Sequence, residues 1–354
     1  MAFDPIRRPT CVATINGTPV PLLSFDVENN NHFAADTWEC TLALAGMPAG
    51  MGLAFWASQV PITVQLFAGL NGPPTTSLIL GDADRVVIDA VPGEIHLSGR
   101  DKTAVFLEAR TTAKFQDHFA SDVITDLARH HGIKAQVTRT STRIGQYAGN
   151  QSAKLSAGET EWTLMTYLAE HEGFDLFFSG DTLYFQPPAA PSAQPVLVSY
   201  SPSATGRMAA GNVLELQCDR SQHLASDVIV TVLSWNSWME KTITGEARAS
   251  KTGPGAGRGT PRTYTFQEPG LDWQQAQHLA EQKLREITDQ ERVIRWTEPA
   301  NLTLKARSQV LLQGTGTAWD QLYVVSQVRR RMSFAEGFRM QVQANAASPQ
   351  SISG

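Results

Sequence analysis

The chain has 354 residues, 42% hydrophobic and 18% charged, with a formal net charge of −5. That is long enough for two or three domains with separate cores, and the charge excludes a global basic field for gripping nucleic acid. No run approaches the ~20 apolar residues of a membrane helix, and MAFDPIRRPT lacks the apolar core of a signal peptide, so neither membrane anchoring nor export is expected. The 27 glycines and 19 prolines favour many turns between short strands. Cys11, Cys40 and Cys218 are odd in number with no CxxC spacing, and read as buried free thiols suited to assembly in a reducing cytoplasm.

Residues 10 to 100 read as an antiparallel β domain. CVATING, PLLSFDVEN, DTWECTLALAG, VPITVQLFAG, SLILGDADRVVIDA and GEIHLSGR alternate or run apolar between Asn-Gly, Gly-Asp and Pro-Gly turns. In the third of these, Trp38, Cys40, Leu42 and Leu44 share one face. Six or more strands at this spacing predict a barrel or sandwich. AGMGLAFWASQVP within the run reads equally as a short helix or a contact loop.

An αβ block follows. Ser121 to His131 reads as an amphipathic helix with Val123, Ile124, Leu127 and Ala128 on one face, Ser121 as N-cap and Gly132 as its stop, before the strand IKAQV. A second helix opens at Glu159-Thr160-Glu161, carries the stripe Trp162, Leu164, Met165 and Leu168, and ends at Gly173. FDLFFSG and DTLYFQ then form a hairpin about Gly180-Asp181. PPAAPSAQP, residues 187 to 195, reads as a stiff linker.

Alternation resumes in NVLELQCDRS, SDVIVTVLSWN and MEKTITGEA. ASKTGPGAGRGTPRT reads as a mobile loop. DWQQAQHLAEQKLREITDQE is a helix capped by Asp272, with Trp273, Ala276, Leu279, Ala280, Leu284 and Ile287 on one face. VIRWTEP, NLTLKA, QVLLQG, QLYVVSQVRRRM and GFRMQVQAN read as strands, and the last ten residues as a frayed end.

Candidate chemistry is sparse. Adjacent side chains on a helix diverge, so His130 and His131 suit a helix C-terminus better than a shared metal. Asp219, His223 and Asp227 would align at i, i+4, i+8 if helical, with Ser221 and Ser226 nearby, but the alternation around them predicts a strand-joining loop. No GxSxG, HExxH or paired-carboxylate motif supports them. GPGAGRG lacks the GK[ST] ending of a phosphate loop. Arg329-Arg330-Arg331 places Arg329 and Arg331 on one face of a strand and Arg330 on the other, as an edge device or an intersubunit salt-bridge row. Trp235, Trp238, Phe55 and Trp56 are candidate interface anchors or core. No catalytic, cofactor-binding or metal site is assigned.

The collinear series LSGRDKTAVFLEA, FASDVITDLARHHGI, EWTLMTYLAEHEGFDLFF with LYF, DWQQAQHLAEQKLREI and LLQGTGTAWDQLYVVSQVRRRMSFAEGF resembles the phage baseplate hub proteins of the late control protein D family. These are relatives of the hub part of type VI secretion spike proteins. The resemblance covers about residues 10 to 345. It implies an α+β, mainly β fold: a tail-tube-like barrel over 1–100, an αβ insertion and linker over 101–200, a second barrel with one helix over 201–346, and a disordered tail from 347. It further implies a non-enzymatic virion protein without cofactors, a homotrimer whose six barrels form a pseudo-hexameric ring. The ring's partners would be tail tube or distal tail proteins, a central spike and other baseplate proteins, with DNA passing through unread. Two other readings stay open: a β-rich hydrolase acting on cell-wall polymers through His223 with Asp219 or Asp227, and a glycan-binding module using Trp235 and Trp238.

Overall fold

A computed structural model describes residues 8–31, 33–110, 115, 118–141, 143–144, 159–190, 192, 194–202, 209–224, 227–236, 240–249 and 261–347. Its first part is a run of antiparallel strands: β1 (Pro9–Ile15), β2 (Thr18–Val20), β3 (Leu22–Asn30), β4 (Thr37–Ala43), β5 (Thr63–Leu70), β6 (Thr76–Asp89) and β7 (Glu94–Asp101). Alternation drives them: Trp38, Cys40 and Leu42 point into the core while Thr37, Glu39 and Thr41 point away. Leu44 leaves that face because the chain turns into a 3-10 helix at Leu44–Gly46. AGMGLAFWASQVP contains a short helix, α1 (Leu53–Ser58), whose Trp56 is buried and donates Nε1–H to the Met51 carbonyl.

The middle block begins with a helix that sequence alternation did not signal, α2 (Thr103–Glu108), then β8 (His118–Phe119), α3 (Ala120–His130), β9 (Lys134–Val137) and β10 (Arg143–Ile144). Next come α4 (Glu161–Glu172), β11 (Asp175–Ser179) and β12 (Thr182–Gln186). Ser121 does not cap α3; it lies inside the first turn, buried, because the N-cap position falls two residues earlier, at Phe119, with no side-chain cap bond. Thr160 does cap α4, accepting from the Thr163 amide, and Gly173 ends it at φ +67°, where a side chain would be strained. The β11–β12 hairpin turns at Gly180-Asp181 as read, and β12 runs parallel to β9. Phe106, Val123, Ile124, Met165, Leu168 and Phe185 close this block's own core.

The last part contains β13 (Val196–Ser201), β14 (Ala210–Gly211), β15 (Glu215–Arg220), β16 (Val228–Asn236), β17 (Lys241–Ala249) and β18 (Arg262–Gln267). It ends with α5 (Trp273–Thr288), β19 (Arg292–Pro299), β20 (Gln309–Gln313), β21 (Leu322–Ser333) and β22 (Gly337–Ala346). Asp272 and Gln275 form a full capping box on α5. Trp273 is 62% exposed, against expectation, because it precedes the first inward turn. α5 packs on the β17-β16-β18 sheet around Val230, Val232, Ile243, Leu279 and Leu284. The contact is close: a Cβ on Gly245 would stand 2.2 Å from the Ala276 carbonyl oxygen, so only glycine fits. NLTLKA is not a strand. Asn301 Oδ1 accepts from the Thr303 amide and folds the segment into a turn. The Gly-rich stretch 250–260, Ser226, Trp238 and the end beyond 347 lie outside the described residues.

The two β-rich parts repeat one design. The neighbour order β3-β4-β7-β6-β5-β1 is matched by β15-β19-β22-β21-β20-β13, with each strand at the same place in chain order. Both long hairpins skip one residue at the equivalent point, Asp84 in β6 and Ser326 in β21. The second copy carries β16–β18 and α5 between β15 and β19, and its β13 pairs parallel to β20 where β1 is antiparallel to β5. The halves join because β21 is long: β20 pairs with its start, β3 with its end, and β22 with its other side. One core therefore spans both halves, and Phe25 meets Phe338 edge to face at 5.6 Å.

Candidate assembly faces

Joining the halves produces a sheet face eight strands wide, β15-β19-β22-β21-β3-β4-β7-β6. Strand alternation buries one side of it and leaves the other polar. A single cross-strand line reads Glu215, Thr297, Gln341, Arg329, Glu28, Thr37, Arg100 and Asp82. The next reads Arg339, Arg331, Asp26, Glu39, Ser98 and Arg85. Along the first line acids and bases alternate, and ion pairs form on the same face: Arg295 meets Asp219 at 3.2 Å, and Arg100 meets Asp84 at 2.7 Å and Glu108 at 2.6 Å.

The arginine run sits in the middle of this face and is not an edge, because β21 is paired on both sides. Arg329 forks onto both Asp26 oxygens at 2.8 and 2.7 Å, and Arg331 Nε adds a bond at 2.7 Å. Half-burial pushes the Asp26 carboxyl up, but the hydrogen bonds and charges of the two arginines outweigh it and hold the group below its ordinary range. Arg330 points the other way, 3% exposed. It donates to the Leu304 carbonyl, to Asn29 Oδ1 at 3.1 Å and to the Asn301 carbonyl at 3.4 Å. The three arginines thus bind one half to the other inside a single chain.

Beneath this seam the three parts of the chain meet around a cavity of about 350 Å³, lined in part by Asn29, Asp36, Asp101, Phe177, Arg307 and Arg330. Arg307 lies 3.9 Å over the Phe177 ring, donates to the Asn30 and Asn31 carbonyls, and approaches Asp175 at 3.8 Å. Asp36 accepts from Asn29 Nδ2 and the Asn30 amide, both at 2.8 Å. Burial pushes Asp36 up against these bonds, and pushes Asp101 up further with the Asp36 charge adding to it. The αβ block is also tied on by Trp162, whose Nε1–H reaches the Phe33 carbonyl at 2.6 Å. Sequence reading missed this junction: its members are isolated Asp, Asn and Arg residues far apart in the chain.

The candidates read from sequence scatter. Asp219 lies on β15 paired with Arg295, Ser221 donates its amide to the Glu291 carbonyl, His223 is in a turn, and the Asp227 carbonyl accepts the Arg262 amide. Strand and turn replace the helix that would have aligned them. His131 does more than end α3, since its Nε2 lies 2.6 Å from Glu161 Oε2 and links α3 to α4. Among the described residues no group of three or more His, Cys, Asp or Glu side chains converges to hold a metal ion. Cys11 is half-buried and Cys40 buried, but Cys218 is exposed because, among the described residues, β15 has a strand neighbour on one side only; all three are free thiols. Burial pushes Cys11 up to about 11 and Cys40 up to about 12, so neither is a ready nucleophile. Phe55 packs on the shared core beside Trp56, and Trp235 is 53% exposed.

No family model matches the sequence, and no curated protein does. Solved structures do match in fold. A tail protein from Neisseria meningitidis MC58 superposes with a TM-score of 0.68 at 13% identity, covering 97% of this chain and 98% of that one. The 43 kDa tail protein of prophage MuSo2 from Shewanella oneidensis gives 0.64 at 14% identity, over 98% and 100% of the two chains. The E. coli c3393 protein, a type VI secretion component similar to T4 tail proteins gp27 and gp5, gives 0.58 at 12% identity, over 95% and 77%. The fold is that of phage tail proteins and their type VI secretion relatives, as the sequence resemblance implied.

Proposed function

We propose that the chain is a structural hub of a phage or phage-like tail, in which three copies close a ring between a hexameric tube and a trimeric spike. The observation that carries this is the internal repeat. One chain presents two equivalent β units side by side, so three chains present six, and a threefold body acquires a near-sixfold surface. Tail proteins and type VI secretion components sharing the fold over nearly the whole chain support the same reading.

The eight-strand polar face lines the ring's channel. Arg100, Arg295, Arg329 and Arg331 on it are engaged by Asp26, Asp84, Glu108 and Asp219, so a passing phosphate backbone finds these cations already neutralised, and DNA slides without being held. The αβ block, with its own core and with ties that include Trp162, Arg307 and the Glu170–Lys283 pair, lies outside the ring and presents surface to other baseplate proteins. The role is non-catalytic, within the virion. Electron cryomicroscopy of tails carrying this chain is expected to find three copies between tube and spike. Its absence from the tail, or a place on a peripheral fibre, would refute the hub.

A further inference from the structure

Two carboxylates stand where the first β-rich part hands the chain to the αβ block. Asp101 is the last residue of β7, and α2, the first helix of the block, begins two residues later at Thr103. The Asp101 carboxylate accepts the Thr103 amide at 3.1 Å, and the Asp101 amide donates to the Asp36 carbonyl at 2.9 Å. Asp36 in turn shapes the loop between β3 and β4 through Asn29 Nδ2 and the Asn30 amide. That loop carries Phe33, whose carbonyl takes the Nε1–H of Trp162 on α4. One carboxylate sets the chain's entry into the block, and the other shapes the loop that grips it.

The cations that face this pair are engaged elsewhere. Arg307, ahead of β20, donates to the Asn30 and Asn31 carbonyls and approaches Asp175 of the block. Arg330 of β21 donates to the Leu304 and Asn301 carbonyls and to Asn29 Oδ1, while Lys305 lines the cavity from an exposed position. Glu28 on β3 adds a like charge. From β6 and the β11–β12 hairpin, residues 76–80 and 177–180 line the cavity without any charged side chain. Asp101 is 6% exposed, and two neighbouring carboxyls held out of water resist ionising together.

We propose that Asp36 and Asp101 form a proton-operated latch between the first β-rich part and the αβ block: the block is docked while the pair retains a proton and undocks when that proton leaves. The cavity of about 350 Å³ beside them lets water reach the pair as it charges. Burial raises both carboxyls, and the Asp36 charge raises Asp101 further. Undocked and in water they return to the ordinary value near 4. Docking is therefore complete below that value and is lost as pH rises through the raised ones. Within that window each retained proton makes undocking about tenfold easier per pH unit.

The test is hydrogen exchange read by mass spectrometry on the full chain from pH 5 to pH 8, corrected for the intrinsic pH dependence of exchange. Amides of α2 and α4 are expected to exchange ahead of those of β21 and β22, by local opening, and to quicken about tenfold per pH unit. Asp101→Asn is neutral at every pH and still accepts from the Thr103 amide, so it is expected to keep the block docked with a flat profile. Asp36→Asn is the second variant should the first fail to fold. Exchange of α2 and α4 in step with β21 and β22 at every pH overturns the latch, since the block would then open only with the whole chain. A flat profile in the parent, or the parent's pH dependence persisting in the Asn variants, overturns it equally.

Discussion

Replacing Arg330 with Met tests whether the seam is held by its buried guanidinium. The side chain is 3% exposed and supplies donors to Leu304 O, Asn301 O and Asn29 Oδ1. Methionine keeps the apolar stem and removes every donor. A buried acceptor left without a partner costs about 1–3 kcal/mol, and there are three of them. Against this, the variant no longer desolvates a charge, and burial is what pulls Arg330 down to about 10. With that relief offsetting roughly half the loss, the net destabilisation comes to about 3 kcal/mol. In urea, with a slope of about 1–3 kcal/mol/M, the unfolding midpoint falls by at least about 1 M. Tryptophan fluorescence reads the shared core, which holds Trp38, Trp56 and Trp296. Arg330→Lys, keeping the charge but not the planar fork, is expected between the two. A midpoint for Arg330→Met equal to or above the parent would refute the reasoning, because desolvation would then outweigh the hydrogen bonds.

On the outer side of the same seam, Asp26→Ala removes the shared partner of Arg329 and Arg331. The group is partly exposed, so a loss of about 1–2 kcal/mol is expected, shrinking in high salt; an unchanged midpoint at low salt would count against it. Asp36 and Asp101 are raised by burial, and Asp289 is pushed up to about 7 for the same reason. Groups raised in the folded state give stability that is complete below the unfolded value near 4 and is lost as pH rises through the folded values. Melting temperature should therefore decline from about pH 5 to pH 8, and Asp101→Asn, which keeps an acceptor for the Thr103 amide, should flatten the decline. An identical slope in the variant would assign the titration elsewhere. Asp272→Ala breaks the capping box of α5 and is expected to cost about 1 kcal/mol, read by urea unfolding; a cost near zero would mean that packing on Gly245 alone sets the helix start.

What could be read directly from sequence was local. The opening of the second helix at Glu159-Thr160-Glu161, the Gly173 stop, the Gly180-Asp181 turn and the Asp272 cap each depend on residues within one helical turn or one hairpin. Strand alternation likewise placed Arg329 and Arg331 opposite Arg330. What escaped is long-range. Whether a strand is an edge depends on its neighbours, so the arginine run read as an edge although β3 covers it. NLTLKA alternates like a strand, yet Asn301 turns it and Arg330 takes the Leu304 carbonyl. Cys218 read as buried because its own strand alternates, and it is exposed because, among the described residues, β15 pairs with β19 alone. The repeat of the two halves lies in pairing order and bulge position, which single-sequence periodicity does not encode.

The β21–β3 seam also governs how the chain can be made. Asp26 and Arg329 are 303 residues apart. At roughly 5–20 residues per second, β3 leaves the ribosome roughly 15–60 seconds before the strand that covers it exists. Throughout that interval the nascent first barrel carries a bare edge next to Phe25 and Val27, a hazard for pairing with a neighbouring chain. Synthesis that stops before residue 332 leaves that edge permanently open, so fragments of this protein are expected to aggregate where the full chain folds.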